Sequence, residues 1–460
     1  MSPRAVELEA MMEVDLEQPL GQMRAVPVET GGGPPALLLV YSACAEVDPY
    51  HEMFFFPTDT LKLLLLTPEG EVAWRRELGR GVVPGMWFCP VFPFDLDGDG
   101  AEEVWFVNNL DDDHPLGLSS YRLERIDARD GRTTGRWPWR HDCTDQSPSH
   151  LFRNFILGGH VGEQPVLVTA QGTYGDMFLQ GWDPGVEPRW DWSVGQEDPG
   201  ARGSHMCPIV DLDGDGRQQV MWGERCIELD AGRERFCADR DAYRGHSDVV
   251  QPVFDREAGE WLLYTCRESD PGASPRVVTY EARGETVWGA VEEGHMDMGW
   301  VARIGEAGRP VAMAVRIGQK TAGPGGFARE GVEEFAFDAI SGEPLDLPFG
   351  VYGTVPVDLN GDGCHELVRA RSGTGADGAV VDRRGRRWGT VQGAVALACK
   401  MMEHPGEQLL TWLKEGTVRI TADRVAEDAP AARRRFRHPL YAANRRLGAS
   451  GYNLHAATGI

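Results

Sequence analysis

Apolar residues in this chain come in short runs, some alternating with polar positions and some continuous, and turn-forming residues close almost every run. Cys89-Pro90-Val91-Phe92-Pro93-Phe94 and Glu103-Val104-Trp105-Phe106-Val107 form one such pair. Arg276-Val277-Val278-Thr279-Tyr280-Glu281 and Glu285-Thr286-Val287-Trp288, parted by a turn at Arg283-Gly284, form another. Runs of this length, rich in Val, Phe, Tyr and Trp, predict β-strands. Turns rather than helical stretches separate them, so an alternating αβ architecture does not compete.

A joint between a first and a second strand recurs eight times, near Glu29 to Gly32, Asp95, Gly158 to Gly162, Asp211, Asp255 to Gly259, Gly305 to Gly308, Asp358 and Glu403 to Gly406. The spacing, about 40 to 65 residues, is that of four-stranded propeller blades. The pattern predicts an all-β chain, a single closed β-propeller of eight blades over residues 1–430. Seven blades is the alternative, because the first and last units are the least regular and one can complete the other across the ring closure. A basic tail over 431–460, with Arg433, Arg434, Arg435, Arg437, Arg445 and Arg446, is expected to pack along the propeller.

Three joints share an acidic phrase: Asp95-Leu96-Asp97-Gly98-Asp99-Gly100, Asp211-Leu212-Asp213-Gly214-Asp215-Gly216 and Asp358-Leu359-Asn360-Gly361-Asp362-Gly363. Oxygen-bearing side chains at positions one, three and five, with glycines permitting a sharp turn, are how a hard cation such as Ca²⁺ collects ligands. Glu103 and Glu366 follow at the ninth position, whereas the second loop has Gln219 there and is expected to bind more weakly. Strands rather than helices flank each loop, so these are not EF-hands.

A formal charge of −25 argues against non-specific nucleic-acid binding, because an acidic body repels phosphate. The apolar run Leu61 to Leu66 is too short to cross a bilayer, and Met1 to Pro19 hold no continuous apolar stretch. No signal peptide is visible, so the expected location is cytoplasmic. Nine cysteines without CxxC spacing fit a reducing compartment. Oligomeric state is not legible.

Propeller topology sorts residues onto two faces. The acidic loops share one; the starts of the first strands share the other, near the central axis. Those starts read Trp87, His150 with Arg153, His205, His246, His295 and Tyr352. Three sit in related phrases: Arg202-Gly203-Ser204-His205, Arg244-Gly245-His246-Ser247-Asp248 and Glu293-Gly294-His295-Met296-Asp297. A single histidine in such a place more often hydrogen-bonds a backbone carbonyl at a blade junction. Three in register can face one small volume and hold a metal, with Asp248 and Asp297 as ligands or supports. Imidazole suits Zn²⁺, and the adjoining carboxylates also admit Ca²⁺ or Mn²⁺. Cys226 is a further candidate ligand. Turns on the same face add Tyr174, Arg267 with Glu268, and Arg316. With Arg153, Arg202, Arg244 and Tyr352 they suit a carboxylated oligosaccharide or polysaccharide, since arginine forks bind carboxylates bidentately.

The stretch Ser204 to Gly216, Gly245-His246-Ser247-Asp248 and Gly294 to Gly299 resemble the β-propeller polysaccharide lyases, among which rhamnogalacturonan lyases have eight blades and ulvan lyases seven. The resemblance spans residues 85 to 370 in arrangement. It implies β-elimination at a uronic acid of a rhamnose-rich glycan. Arg202 or Arg244 would neutralise the substrate carboxylate, Tyr174 and His150 would serve as base and acid, and Arg153, Arg267, Arg316 and Tyr352 would bind substrate. The alternatives are a glycoside hydrolase acting on rhamnosyl-uronate linkages and a non-catalytic glycan-binding propeller.

Overall fold

A computed structural model describes residues 6–50, 54–141, 147–270, 272–323, 326–369 and 378–460. Eight antiparallel sheets follow one another around a ring, so the architecture is an eight-bladed β-propeller. The first blade runs Gln22–Val28, Ala36–Ser42, Lys62–Leu66 and Val72–Glu77, and its order repeats through the ring. All eight joints named above fall between a blade's first and second strands. The last blade is completed from the other end of the chain: Leu8–Asp15 pairs with Thr417–Asp423 in the register Leu8 opposite Asp423. This is the closure across the ring that the irregular terminal units implied.

Burial follows position in the blade. Every residue of Gln22–Val28 and Ala36–Ser42 is buried, while the outermost strand Val72–Glu77 alternates exposed and half-buried. Inner strands are sandwiched between neighbouring blades and tolerate apolar residues on both faces, which is why they read as continuous runs.

Outer strands stitch blade to blade through tryptophan. Trp74, Trp190 and Trp288 donate their indole N–H to the carbonyls of Ala128, Leu229 and Ala339 in the next blade, at 2.7, 2.8 and 3.2 Å. A glycine with positive φ lies under each of these rings, Gly131, Gly232 and Gly342, where a Cβ would come within 2.8, 2.3 and 2.6 Å of the indole. Alanine at 232 would meet both left-handed strain and a rigid ring, so Gly232→Ala is expected to destabilise the fold by about 3 kcal/mol. A shift of the urea unfolding midpoint measures it; an unchanged midpoint would remove this stitch from the account.

The sixth blade departs from the pattern. Its sheet is His295–Ala302, Val311–Ile317 and Glu333–Asp338, and a separate hairpin, Gln319–Gly323 with Gly326–Glu330, is inserted after its second strand. The insertion rises from the face that carries the histidines.

The basic tail threads the centre of the ring. Short helices Pro430–Phe436 and Pro439–Arg445 begin under the acidic-loop face, where Arg445 and Arg446 pair with Glu29 and Glu102. Asn444 then hydrogen-bonds both backbone groups of Ile209, and the chain reaches the opposite face, where the Tyr452 N–H donates to the His205 carbonyl at 2.8 Å.

Candidate active site

Parallel backbone pairing between neighbouring blades sets His205 beside His246. The Arg202 N–H donates to Gly245 O at 2.8 Å, Ser247 N–H to Gly203 O at 3.2 Å, and His205 N–H to Ser247 O at 3.2 Å. Asp248 and Asp297 follow at β-bulges: the register of Ser247–Asp255 shifts between Ser247 and Val249, and that of His295–Ala302 between Met296 and Met298. A bulge leaves its extra residue unpaired and re-aims its side chain, here at the same place in two successive blades.

The histidines converge on a carboxylate to which the sequence assigned a face but no role. Glu268, one residue after Arg267, is contacted by His246 Nε2, by His295 Nε2 at 2.5 Å and by His205 Nε2 at 3.7 Å. Burial works to raise the Glu268 pKa, but the surrounding imidazoles overcome it and hold the carboxylate well below its usual range. The opposite happens at Asp248, which burial and the charges of Glu268 and Asp297 push well above the ordinary carboxylate range. His205 is lowered to about 4, chiefly by burial, and is therefore a neutral imidazole at neutral pH.

Donor atoms of His205, His246, Asp248 and Glu268 lie within 4.8 Å of one another, and a second group of Glu268, His295 and Asp297 meets the same criterion. Two imidazoles and two crowded carboxylates fit a divalent cation, since the like-charge crowding that with burial raises the Asp248 pKa is relieved by positive charge. Cys226 does not join them: it is buried in the core with its thiol pushed up to about 12 by burial.

These groups open into a cleft of about 400 Å³. Tyr174 lies on one wall, its hydroxyl 3.2 Å from His205 Nε2 and its ring stacked on His150 with centroids 5.3 Å apart. Burial raises the Tyr174 pKa, against the opposing charge of Arg153, so the phenol keeps its proton. Arg153 is buried under Trp87 and Tyr174 and forks onto Asp48 at 2.8 and 3.2 Å. The inserted hairpin supplies Lys320 and Arg329, both paired with Asp297, and the tail supplies Tyr452.

Of the residues singled out in the sequence, the cleft brings together His150, Arg153, Tyr174, His205, His246, His295, Asp248, Asp297 and Glu268. Others lie elsewhere. Arg202 is buried with its guanidinium given to the carbonyls of Gly195, Asp198 and Gly200, and Arg244 is exposed and absent from the cleft wall. Arg267 is locked to Glu224 and Asp239, Arg316 pairs with Glu333, and Tyr352 packs on the core of the sixth and seventh blades. A buried guanidinium needs acceptors for its N–H groups, and in these cases the fold itself provides them.

The acidic loops differ among themselves. In the first and second, the leading aspartate accepts backbone N–H groups across the turn, Asp95 from Gly98 at 2.7 Å and Asp211 from Gly214 at 2.8 Å. Of the three loops, only the first, with Asp95, Asp97 and Asp99, forms a candidate ligand set among the described residues. In the second loop Asp213 is engaged by both terminal nitrogens of Arg235, while Asp215 turns to the Arg217 N–H. The third is filled from within: Arg435 of the tail pairs with Asp358 at 2.7 Å, both essentially fully buried. Asn360 contacts Glu366, and Asp362 accepts the Cys364 N–H. The ninth residue does one job in all three loops, since Glu103, Gln219 and Glu366 each accept the N–H of the loop's second residue at 3.0–3.2 Å. Gln219 thus keeps the backbone contact that the two glutamates make.

No protein-family model matches the chain. Among curated proteins it is similar to the rhamnogalacturonan exolyase YesX of Bacillus subtilis (strain 168), 25% identical over 285 residues, covering 50% of this chain and 47% of the relative. It is also similar to the rhamnogalacturonan endolyase YesW of the same organism, 25% identical over 237 residues, covering 43% of this chain and 38% of the relative. The matches therefore span less than half the length of either curated relative. Among solved structures, that of the exotype rhamnogalacturonan lyase YesX superposes with a TM-score of 0.77 at 17% identity, covering 97% of this chain and 82% of that one. The structure of the lyase YesW gives 0.70 at 17% identity, covering 96% and 80%. At such identities the structural likeness establishes the fold. By these comparisons the chain is similar to rhamnogalacturonan lyases, the group its histidine phrases resemble.

Proposed function

We propose that the protein is a lyase that cleaves a rhamnogalacturonan-type, uronate-containing polysaccharide or oligosaccharide by β-elimination. The observation that carries this reading is the convergence of three imidazoles on Glu268 in a cleft that also presents phenols and cations, in a chain whose curated relatives are named rhamnogalacturonan lyases.

Elimination needs three things: neutralisation of the uronate C6 carboxylate, a base for the C5 proton, and an acid for the departing O4 oxygen. Lys320 and Arg329 take the first role. Tyr174, kept protonated by burial, protonates O4, and His150, stacked on it at the cleft wall, accepts the C5 proton. The C5–H electron pair forms the C4=C5 double bond as the C4–O4 bond breaks. His205, His246, Asp248 and Glu268 would hold a divalent cation, which when bound would supply Lewis-acid stabilisation of the carboxylate; Ca²⁺ or Mn²⁺ would match the carboxylates and Zn²⁺ the imidazoles.

Digesting rhamnogalacturonan oligosaccharides in oxygen-labelled water tests the reaction type. Products free of label and carrying an unsaturated uronate support elimination. Label at the new reducing end would establish hydrolysis and overturn the proposal.

Ca²⁺ at the first acidic loop is assigned a stabilising role. Chelation with EDTA is expected to lower the Tm, because a ligand at 100 times its Kd contributes about 2.7 kcal/mol. Asp97→Asn should remove most of that response. An EDTA effect of undiminished size in this variant would place the stabilising ion elsewhere.

A further inference from the structure

Large apolar side chains are exposed at few places among the described residues, and most of them stand on the face that carries the cleft. The turn between Ala36–Ser42 and Lys62–Leu66 holds Tyr50, Phe55 and Phe56, and the equivalent turn of the second blade, between Glu103–Asn109 and Tyr121–Asp127, holds Leu110 and Leu116. Phe56 is 74% exposed and Phe55 41%. Elsewhere the exposed apolar residues are single positions such as Val72 and Val287 on outer strands. A lone one needs no explanation, but two adjacent phenylalanines beside a binding cleft do.

The neighbouring side chains hold these rings in place. Phe54 turns inward, its ring packing on Phe88 with centroids 5.9 Å apart, and Phe88 stacks on Phe152 at 4.9 Å. Phe56 meets the Phe54 ring edge-on at 5.3 Å, so aromatic contacts run from the core to the surface. The same turn enters the cleft, whose wall includes Asp48 and Tyr50, and the fork of Arg153 fixes Asp48 there. The exposed rings therefore continue the first-blade side of the cleft wall. Charge differs between the sides: Lys320 and Arg329 stand on the sixth-blade side, whereas the second-blade turn exposes Asp112 and Asp113.

We propose that Phe55 and Phe56 form an outer subsite that stacks a neutral pyranose of the glycan, beyond the uronate held in the cleft. The inference rests on the glycan reading given above and extends it to where the sugar chain leaves the cleft. Axial C–H groups make one face of a pyranose apolar, and their slight positive charge suits the negative face of an aromatic ring. A uronate is the poorer occupant, because the carboxylates of Asp112 and Asp113 in the neighbouring turn disfavour it. Neither ring lines the cleft where the chemistry is placed, so the subsite contributes to binding and not to the chemical step.

Electrophoresis of the full chain through gels containing rhamnogalacturonan measures glycan affinity whether or not the glycan is cut. Phe55→Ser combined with Phe56→Ser is expected to weaken that affinity by about tenfold, while Phe56→Trp, which keeps a ring, retains it. In gels of polygalacturonate, which lacks the neutral sugar, parent and double variant should migrate alike. On long oligosaccharides the double variant should raise KM and leave kcat unchanged. Equal retardation of parent and double variant by rhamnogalacturonan would overturn the subsite and leave the proposed elimination standing. Retardation that depends on the rings, without any new double bond in the glycan, would overturn the elimination and keep the subsite. A parent that dimerises where the double variant is monomeric would give the rings to a second copy of the chain and overturn the subsite. A parent that rhamnogalacturonan does not retard would overturn both.

Discussion

Glu268→Gln is expected to lower turnover on rhamnogalacturonan by about 10³-fold, comparable to removing a principal electrostatic group from an active site. The swap keeps shape and volume but removes the charge around which His205, His246 and His295 are arranged. An amide cannot accept from three imidazoles as a carboxylate does, and it is a poorer ligand for a divalent cation. Initial rates at saturating substrate give the readout, so that weakened binding does not mimic lost chemistry. A variant within threefold of the parent would remove Glu268 from the centre of the mechanism. Because the lyase reading is itself a proposal, the same variant should also be titrated with Ca²⁺, Mn²⁺ and Zn²⁺; reduced metal affinity reports on the site whatever the substrate.

The second large effect concerns the third acidic loop. Arg435→Met is expected to destabilise the fold by about 4 kcal/mol, the range for breaking a buried ion pair by removing one partner. Arg435 pairs with Asp358 at 2.7 Å and lies 3.6 Å from Glu407, and Glu366 is buried in the same loop. Burial already pushes Asp358 up to about 7 against the attraction of Arg435. Without the guanidinium, three acidic groups share one dry site. Two comparisons sharpen the result. Asp358→Asn combined with Arg435→Met should recover part of the loss, as coupled neighbours do. Added Ca²⁺ should stabilise Arg435→Met more than the parent, because the vacated loop has the ligand spacing of its two sister loops. Additive losses in the double variant would contradict the pairing.

Much of the fold was legible because each of its signals is local. Period-two runs closed by glycine mark strands, and the joints at Asp95, Asp211 and Asp358 carry nearly identical phrases. The histidines were legible for a related reason: His205, His246 and His295 occupy equivalent places in successive repeats, so position along the chain converts directly into position around the axis. Glu268 was legible as a residue of this face but not as its centre, because nothing in Cys266-Arg267-Glu268-Ser269 tells which of two adjacent charged side chains faces the axis. The structure turns Arg267 into a buried pair with Glu224 and leaves Glu268 to the imidazoles. Nor do the bulges at Asp248 and Asp297 announce themselves, since a single extra residue leaves the apolar pattern intact. Tyr452 and the hairpin cations Lys320 and Arg329 reach the cleft through long-range placement, one by way of a tail threaded through the channel and two on an insertion that reads like any other strand pair. The third loop carries the same lesson. Its sequence is that of a cation site, and the cation is an arginine 77 positions away.

The most direct measurement is near-ultraviolet absorbance during incubation of the purified protein with rhamnogalacturonan oligosaccharides, run beside His205→Ala and Glu268→Gln. A steady rise with the parent protein, from the conjugated double bond that only elimination creates, and a loss of that rise in both variants is the predicted result. A flat trace with the parent, or a rise that survives both substitutions, would contradict the assignment of elimination to the histidine cleft.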